Sequence, residues 1–296
     1  MTFTFKHVVI SGSTQGFEGT SATINALTDV LTNDMGWSLV DDRRTQPGNV
    51  SLADTHKVVL STDGEIGSFP TWYLTLASGI NATVNSNNLG LHISNAYDVG
   101  THNVPASGVQ VPIVRTGIGA ILPVFATNGH FNLWVSGDKD GVVIVWDANN
   151  SLSHLKLGRS RHFLNDDLEP FGLYYGYVTN LSPVDSNMAS IVGNPAIGLV
   201  PTGQSGLITV GLSSSNEPRS GLGEVEPSFA ILPLIHVATN GSNKRGAIGV
   251  ATNIWTVAPS SSDSGSVTGT ILTSRTSGRK YLVFANTGQS LALRIG

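Results

Sequence analysis

Asp138 and Asp140 stand two apart, with Lys139 between them and Gly141 behind, in the stretch HFNLWVSGDKDGVVIVWDA (residues 130–148). Alternating carboxylates ahead of a glycine open a calcium loop of the EF-hand kind. Such a loop needs oxygen ligands at its first, third and fifth positions and a bidentate glutamate at the twelfth. Counted from Asp138, the fifth position is Val142 and the twelfth is Asn149, so the match stops after two ligands. The residues read better as a hairpin bend. Phe131, Leu133 and Val135 alternate before it, and Val142, Ile144 and Trp146 alternate after it. Asp-Gly between alternating apolar runs is a strong hairpin signal, with Gly141 expected to supply a positive φ.

Other reactive side chains assemble no better. Asp166, Asp167 and Glu169 fall close together in NDDLEP. A glycoside hydrolase needs two carboxyl groups at a set separation across a cleft, and three acids in one loop read as a solvated turn. Asp41, Asp42, Arg43 and Arg44 read as a charged strand end, self-paired at the surface. The histidines are His7, His56, His92, His102, His130, His154, His162 and His236. No two have the four-residue spacing of metal ligands on a helix, so they read as surface or edge residues. Ser11 and Ser277 lack the strand–turn–helix setting of a nucleophile elbow. The glycines of RTGIGAILP do not open a helix, which excludes a phosphate loop. With no cysteine there is no thiolate chemistry. No catalytic, cofactor-binding or metal-binding residue is assigned, and the chain is expected not to be an enzyme. The aromatic residues offer one further chemistry. Trp72, Tyr73, Trp134, Trp146, Tyr174, Tyr175, Tyr177 and Trp255 could stack on sugar rings wherever they are exposed.

The elements that would carry these residues are mostly strands. Of 296 residues, 40% are hydrophobic, which supports a sizeable core. Only 12% are charged, about half the usual share, and 34 are glycine. That is the composition of a turn-rich β protein, and a weakly charged surface suits packing against neighbouring subunits. A net charge of −4 without a basic run argues against nucleic acid. No apolar stretch is long enough to span a membrane as a helix, and MTFTFKHVVISGS does not read as a signal peptide.

One amphipathic helix is expected over about 20–36. Ile24, Leu27, Leu31 and Met35 recur on one face with Val30 beside them. Thr20 or Ser21 would cap its start and Gly36 would end it in the left-handed conformation. Strands follow at GWSLVDD, HKVVLST, TWYLTLAS and LGLHIS, and later at HLKLGRSRHF, FGLYYGYVTNL, SGLITVGLSS, FAILPLIHVATN, RGAIGVATNIWTVA and VTGTILTS. KYLVFANTGQSLALRIG closes the chain as a hairpin. The expected fold is mainly β, an antiparallel sandwich or barrel-like domain with the single N-terminal helix. Residues 1–98 would form a strand arm, the helix and a first sheet. Residues 99–129 would be a long loop or arm with one or two edge strands, and 130–296 a sandwich-like region, continuous with the first or separate.

The order of several stretches resembles a known group. A helix precedes GWSLVDD, and HKVVLSTDGEIGSFPTWYLTLASG follows. LWVSGDKDGVVIVW, RHFLNDDLEPFGLYYGYV, GAIGVATNIW and KYLVFANTGQSLALRI come in sequence after it. In this order they are similar to segments of the virion structural proteins of tailed bacteriophages. The resemblance covers about half the chain. Residues 99–129 and the serine run near 260 have no counterpart. It implies a structural subunit of the tail, baseplate or neck, made in the host bacterial cytoplasm and resident in the virion. It also implies assembly with other virion proteins and with itself as a ring or trimer. It transfers no catalytic motif and no cofactor. The alternative is a receptor- or glycan-binding module on the virion surface. In the assembly reading, residues 1–12 would be an arm that adds to a neighbour's sheet. Their deletion would then block incorporation without unfolding the domain.

Overall fold

A computed structural model of the chain describes residues 3–11, 17–45, 56–63, 71–78, 88–108, 110–112, 114–115, 118–119, 121–123, 130–148, 151–162, 173–179, 187–190, 230–240, 243–258, 268–286 and 289–296. It opens with strand β1 (Thr4–Ser11) and helix α1 (Phe17–Asp29), followed by β2 (Ser38–Asp42), β3 (Lys57–Thr62), β4 (Trp72–Ser78) and β5 (Asn88–Ser94). Four short strands come next, β6 (Gln110–Pro112), β7 (Val114–Arg115), β8 (Ile118–Gly119) and β9 (Ile121–Pro123). Then run β10 (His130–Asp138), β11 (Gly141–Ala148), β12 (Ser151–His162), β13 (Leu173–Thr179) and β14 (Asn187–Ser190). The chain ends in β15 (Ala230–Asn240), β16 (Asn243–Ala258), β17 (Ile271–Thr273), β18 (Lys280–Asn286) and β19 (Gln289–Arg294). The fold is mainly β, with antiparallel pairing throughout and, among the described residues, one helical region and no closed barrel.

The helix starts at Phe17, ahead of the expected caps Thr20 and Ser21, and those two residues lie inside its first turns. Its apolar face is the expected one: Ile24, Leu27 and Leu31 are fully buried, and Val30 and Met35 nearly so. Burial of each such side chain contributes roughly 1.5–3 kcal/mol. Thr28 and Thr32 turn their hydroxyls back onto the carbonyls of Ile24 and Thr28, a bond that bends helices. The last turn, Val30–Asp34, widens to a π-helix. Gly36 then takes φ +72°, and the Trp37 amide reaches back to the Leu31 carbonyl at 2.9 Å. Only glycine adopts that left-handed closure without strain.

Two sheets enclose this helix. One runs β2-β3-β4-β5-β6, with β9 also on β5. The other runs β1-β10-β11-β12-β16-β19-β18-β17, with β13, β14 and β15 as side branches. Strand β12 is the corner of the larger sheet. Its Ser151–Gly158 part pairs with β11, and Ser160–His162 pairs with β16. Past that corner the sheet folds back over β10 and β11, so β11 is buried on both faces. Val142, Ile144 and Trp146 pack with Ile24, Leu27, Leu60, Leu74 and Trp72 in one core. Val143 and Val145 pack with Ile254, Phe284, Leu291 and Leu293 in a second. Alternation along one strand therefore feeds two cores, and the molecule is a layered sandwich.

Strand β1 lies on β10 of its own chain in continuous register, from Thr4 opposite Gly137 to Ser11 opposite His130. The expected arm is thus seated at home. Ile10 is buried and Val8 packs against the same core. Thr4 and Lys6 bond the helix end at Asp34, each at 2.9 Å. His7 stacks on Trp134 at 5.1 Å, and Arg294 lies over Phe3 at 4.0 Å.

Candidate functional site

The bend at Asp138 is a structural turn. Asp138 and Gly141 form the last pair of the β10–β11 ladder, with Lys139 and Asp140 as the two-residue loop. The Asp138 carboxylate accepts the amides of Asp140 at 2.9 Å and Gly141 at 3.3 Å. Asn253, itself at φ +64°, also bonds this carboxylate. Burial pushes the Asp138 carboxyl up, the charge of Asp140 adds to that, and the bonds it accepts work against it. Both backbone amides go to its Oδ1. Among the described residues no cluster of three metal-ligating side chains occurs. Gly141 does not take the positive φ expected of it, because the Asp138 side chain closes the turn from inside and a glycine ends it. The glycine that close packing demands is Gly137, where a Cβ would lie 2.2 Å from the Gly141 carbonyl oxygen.

The chemistry-bearing residues that do converge lie on the face of the smaller sheet opposite the helix. β3 is buried along its whole length, including Lys57. Asp41 of β2 is 8% exposed beside it. The segment from Asn95 to Gly108 crosses this face. Tyr97 donates its hydroxyl to Asp41 Oδ2 at 2.6 Å, and His102 Nδ1 lies 2.9 Å from the same oxygen. The Lys57 ammonium donates to the His102 backbone carbonyl and sits 5.6 Å from the centre of the Tyr97 ring. His102 takes φ +54°, a conformation uncommon outside glycine and costly unless neighbours hold it. A bridge between Asp98 and Asn103 ties the turn together, as do two bonds that the Asp98 carboxylate accepts, from the Gly100 amide and the Thr101 hydroxyl.

The electrostatics follow from this packing. Burial alone would raise the Asp41 carboxyl. The bonds from Tyr97 and His102, with the charges of His102 and Lys57, outweigh it and hold the group below its ordinary range. Tyr97 moves the other way, pushed up by burial and by its bond to a carboxylate. His92 is buried on the same face, opposite Thr75. Burial and the Lys57 charge lower it to about 4, so it is neutral at pH 7. Its Nδ1 has no hydrogen-bond partner among the described residues. With Nδ1 turned to Asp41, the His102 side chain is still about a third exposed, at 36%. The arrangement orients an imidazole and fastens a turn. It assembles no metal site.

Several sequence expectations change here. Asp42 does pair with Arg44, at 2.5 Å. Asp41 does not join it and turns inward. His56 and His92 are buried, contrary to the surface or edge reading, because each lies in or beside the covered strands. Asp166, Asp167, Glu169 and the stretch SGLITVGLSS lie outside the described residues. Tyr174, Tyr175 and Tyr177 stand on β13, paired with Gly158, Leu157 and Leu155 of β12. Lys57, Tyr97 and His102 were not singled out as a group. The readable signal is Lys57, directly before the apolar run Val58, Val59 and Leu60.

Exposed apolar residues concentrate elsewhere. Among the described residues the exposed large hydrophobics are Val9 at 52%, Leu39 at 47%, Val99 at 49% and Ile271 at 57%. Val9 is on β1, Leu39 on β2 and Ile271 on β17, and each of these strands ends a sheet's order. Val99 lies on the turn above the polar face. No protein-family model and no curated protein matches the chain.

Proposed function

We propose that the chain is a structural subunit of a tailed-phage virion, in the tail, baseplate or neck, acting by protein–protein assembly at its open sheet edges. The observation that carries this reading is the placement of Val9, Leu39 and Ile271, one on each of three terminal strands. An edge strand templates pairing with another chain, and although β1 carries Lys6 and β2 a bulge at Val40, each has one neighbouring strand among the described residues. Exposed apolar side chains there add contact area to the unpaired backbone groups. The resemblance of the hairpin and aromatic segments to phage virion proteins supports the same reading. So does a surface with few charges, which suits burial against other virion proteins and further copies of the chain. The virion is then its resident location.

Incorporation tests the proposal. Particles are purified from cells supplying either the native chain or variants carrying Leu39→Lys or Ile271→Lys. The native chain is expected in the particles, and the lysine variants are expected to stay in the soluble pool with native circular dichroism. Particles that lack the native chain, or take up both variants at the native level, refute the reading.

A further inference from the structure

Residues 95–108 lead from Ser94 of β5 towards Gln110 of β6, and Ser94 and Gln110 lie opposite each other in the sheet. The two ends of this loop are thus held together whatever its middle does, as in an Ω-loop. Its attachment to the sheet is polar. No residue from Asn95 to Gly108 is buried, and none belongs to the two cores described above. Tyr97 and His102 share one oxygen of the sheet, Asp41 Oδ2, and the Lys57 ammonium holds the His102 carbonyl. The Tyr97 ring adds a tilted contact with Tyr73, with centres 6.2 Å apart.

The face to which the loop is tied is buried and incompletely satisfied. Lys57, Thr75, His92 and Ser94 are all buried. His92 Nδ1 and Ser94 Oγ have no hydrogen-bond partner among the described residues. The two stand two apart on β5, so Ser94 shares the face on which His92 lies opposite Thr75. A buried polar atom left unsatisfied costs stability that water restores when the face is wetted. His102, at φ +54°, adds backbone strain to the closed form. A segment held by a few polar bonds, with no buried side chain of its own, opens locally at a lower cost than the cores do.

We propose that residues 95–108 are an acid-released strap, which lifts from the polar face of the smaller sheet while both cores stay folded. Its release needs no partner, so it stands apart from the assembly reading. His92 is the trigger. It lies between Thr75 of β4 and Pro112 of β6, within reach of the Lys57 charge from β3. A proton on His92 sets a second buried cation near the one that grips the strap, and the two repel. The other ionisable groups of this face do not open the strap in the same pH range. A charge on His102 strengthens its contact with Asp41. Asp41 stays ionised until the pH falls below 3.8. Tyr97 remains a neutral donor, and Arg43, whose charge reaches Tyr97, remains a cation. The bonds of Asp98 lie within the strap. Closed, His92 has a pKa of about 4 against its ordinary 6.5, so opening is favoured as pH falls from 6.5 towards 4.

The chain has no cysteine, so a single thiol reports on the covered face. Ser94→Cys exchanges the buried hydroxyl for a thiol of nearly the same shape. Val143→Cys places one between the two layers as a control. Both full-length variants are treated with a dipyridyl disulfide at pH 7 and pH 5, and rates are taken relative to a free thiol at the same pH. Labelling at position 94 is expected to rise on the order of tenfold at pH 5, with position 143 protected at both. Adding His92→Gln is expected to remove the rise. Adding Tyr97→Phe is expected to speed labelling at pH 7 about tenfold, and this variant decides the matter if His92→Gln does not fold. The strap is overturned if position 94 labels no faster in acid, if the rise survives His92→Gln, or if Tyr97→Phe leaves the rate at pH 7 unchanged.

Discussion

The indole N–H of Trp37 donates to the backbone carbonyl of Asp138 at 3.2 Å, across 101 residues of chain. This bond joins the end of the helix to the tip of the β10–β11 hairpin. Beside it the Thr62 hydroxyl, at the end of β3, donates to the Lys139 carbonyl at 2.9 Å. Asn253 of β16 reaches the same turn through the Asp138 carboxylate. The loop that looked like half a metal site is the place where the helix and both sheets are fastened together.

Trp37→Phe isolates that bond. Phenylalanine can keep the edge contact that Trp37 makes with Trp72, with ring centres 4.9 Å apart, but leaves the buried carbonyl without its donor. The expected loss is about 1–3 kcal/mol, read as a lower urea midpoint at unchanged slope. An unmoved midpoint would show that the bond contributes nothing.

Asp138→Ala and Asp138→Asn separate the roles of this side chain. Alanine leaves the Asp140 and Gly141 amides without their acceptor, and a loss of about 1–2 kcal/mol is expected by analogy with a lost helix cap. Asparagine retains an acceptor oxygen. It also removes a carboxylate whose folded-state pKa is raised, a group that costs stability as pH rises through its titration range. Asparagine is therefore expected to cost less than alanine at pH 7 in thermal melts, with no shift of either midpoint on adding calcium. A calcium-dependent rise for the native chain would restore the metal reading.

Acid is expected to loosen the polar face in two steps. His92 has a folded pKa of about 4 against its ordinary 6.5. The unfolded chain therefore gains a proton first, and stability falls as pH drops from 6.5 to 4. The full shift corresponds to about 3 kcal/mol. Asp41 lies below its ordinary 3.8. Its contribution is complete above 3.8 and is lost as pH falls through the lower folded value. Denaturation across pH 7 to 3 measures both. His92→Gln is expected to flatten the upper window and leave the lower one in place, and an unchanged upper window would mean that His92 does not titrate there.

The periodic parts of this fold were readable because their burial is regular. The helix face from Ile24 to Met35 and the two faces of β4 follow directly from spacing, and Gly36 marks its own turn. Asp41 was not readable for a local reason. β2 pairs Leu39 with Leu60 and then Asp41 with Val59, so Val40 is an extra residue that shifts the register. A bulge resets which side chains face inward, and period-two counting cannot see it. Nor could spacing bring Tyr97 and His102 onto Asp41, because those contacts depend on the path of the 95–108 segment over the sheet. The two-sided burial of β11 has the same origin. Its second face is covered by Ile254, Phe284, Leu291 and Leu293, more than a hundred residues further along the chain.

Removing residues 1–11 is now expected to do more than abolish an assembly contact. Deletion strips the strand from β10, opens the core where Ile10 and Val8 pack, and frees Asp34 from Lys6 and Thr4. Losing two such apolar side chains alone is worth roughly 2–5 kcal/mol. The truncated chain is expected to melt several degrees lower or fail to fold. Val9→Lys changes only an outward-facing residue of the same strand and is expected to leave the melt near native. If the truncated chain melts with the native one, β1 is detachable and free to pair elsewhere. If it melts lower while Val9→Lys does not, the strand belongs to its own domain, and only its outer edge is open to another chain.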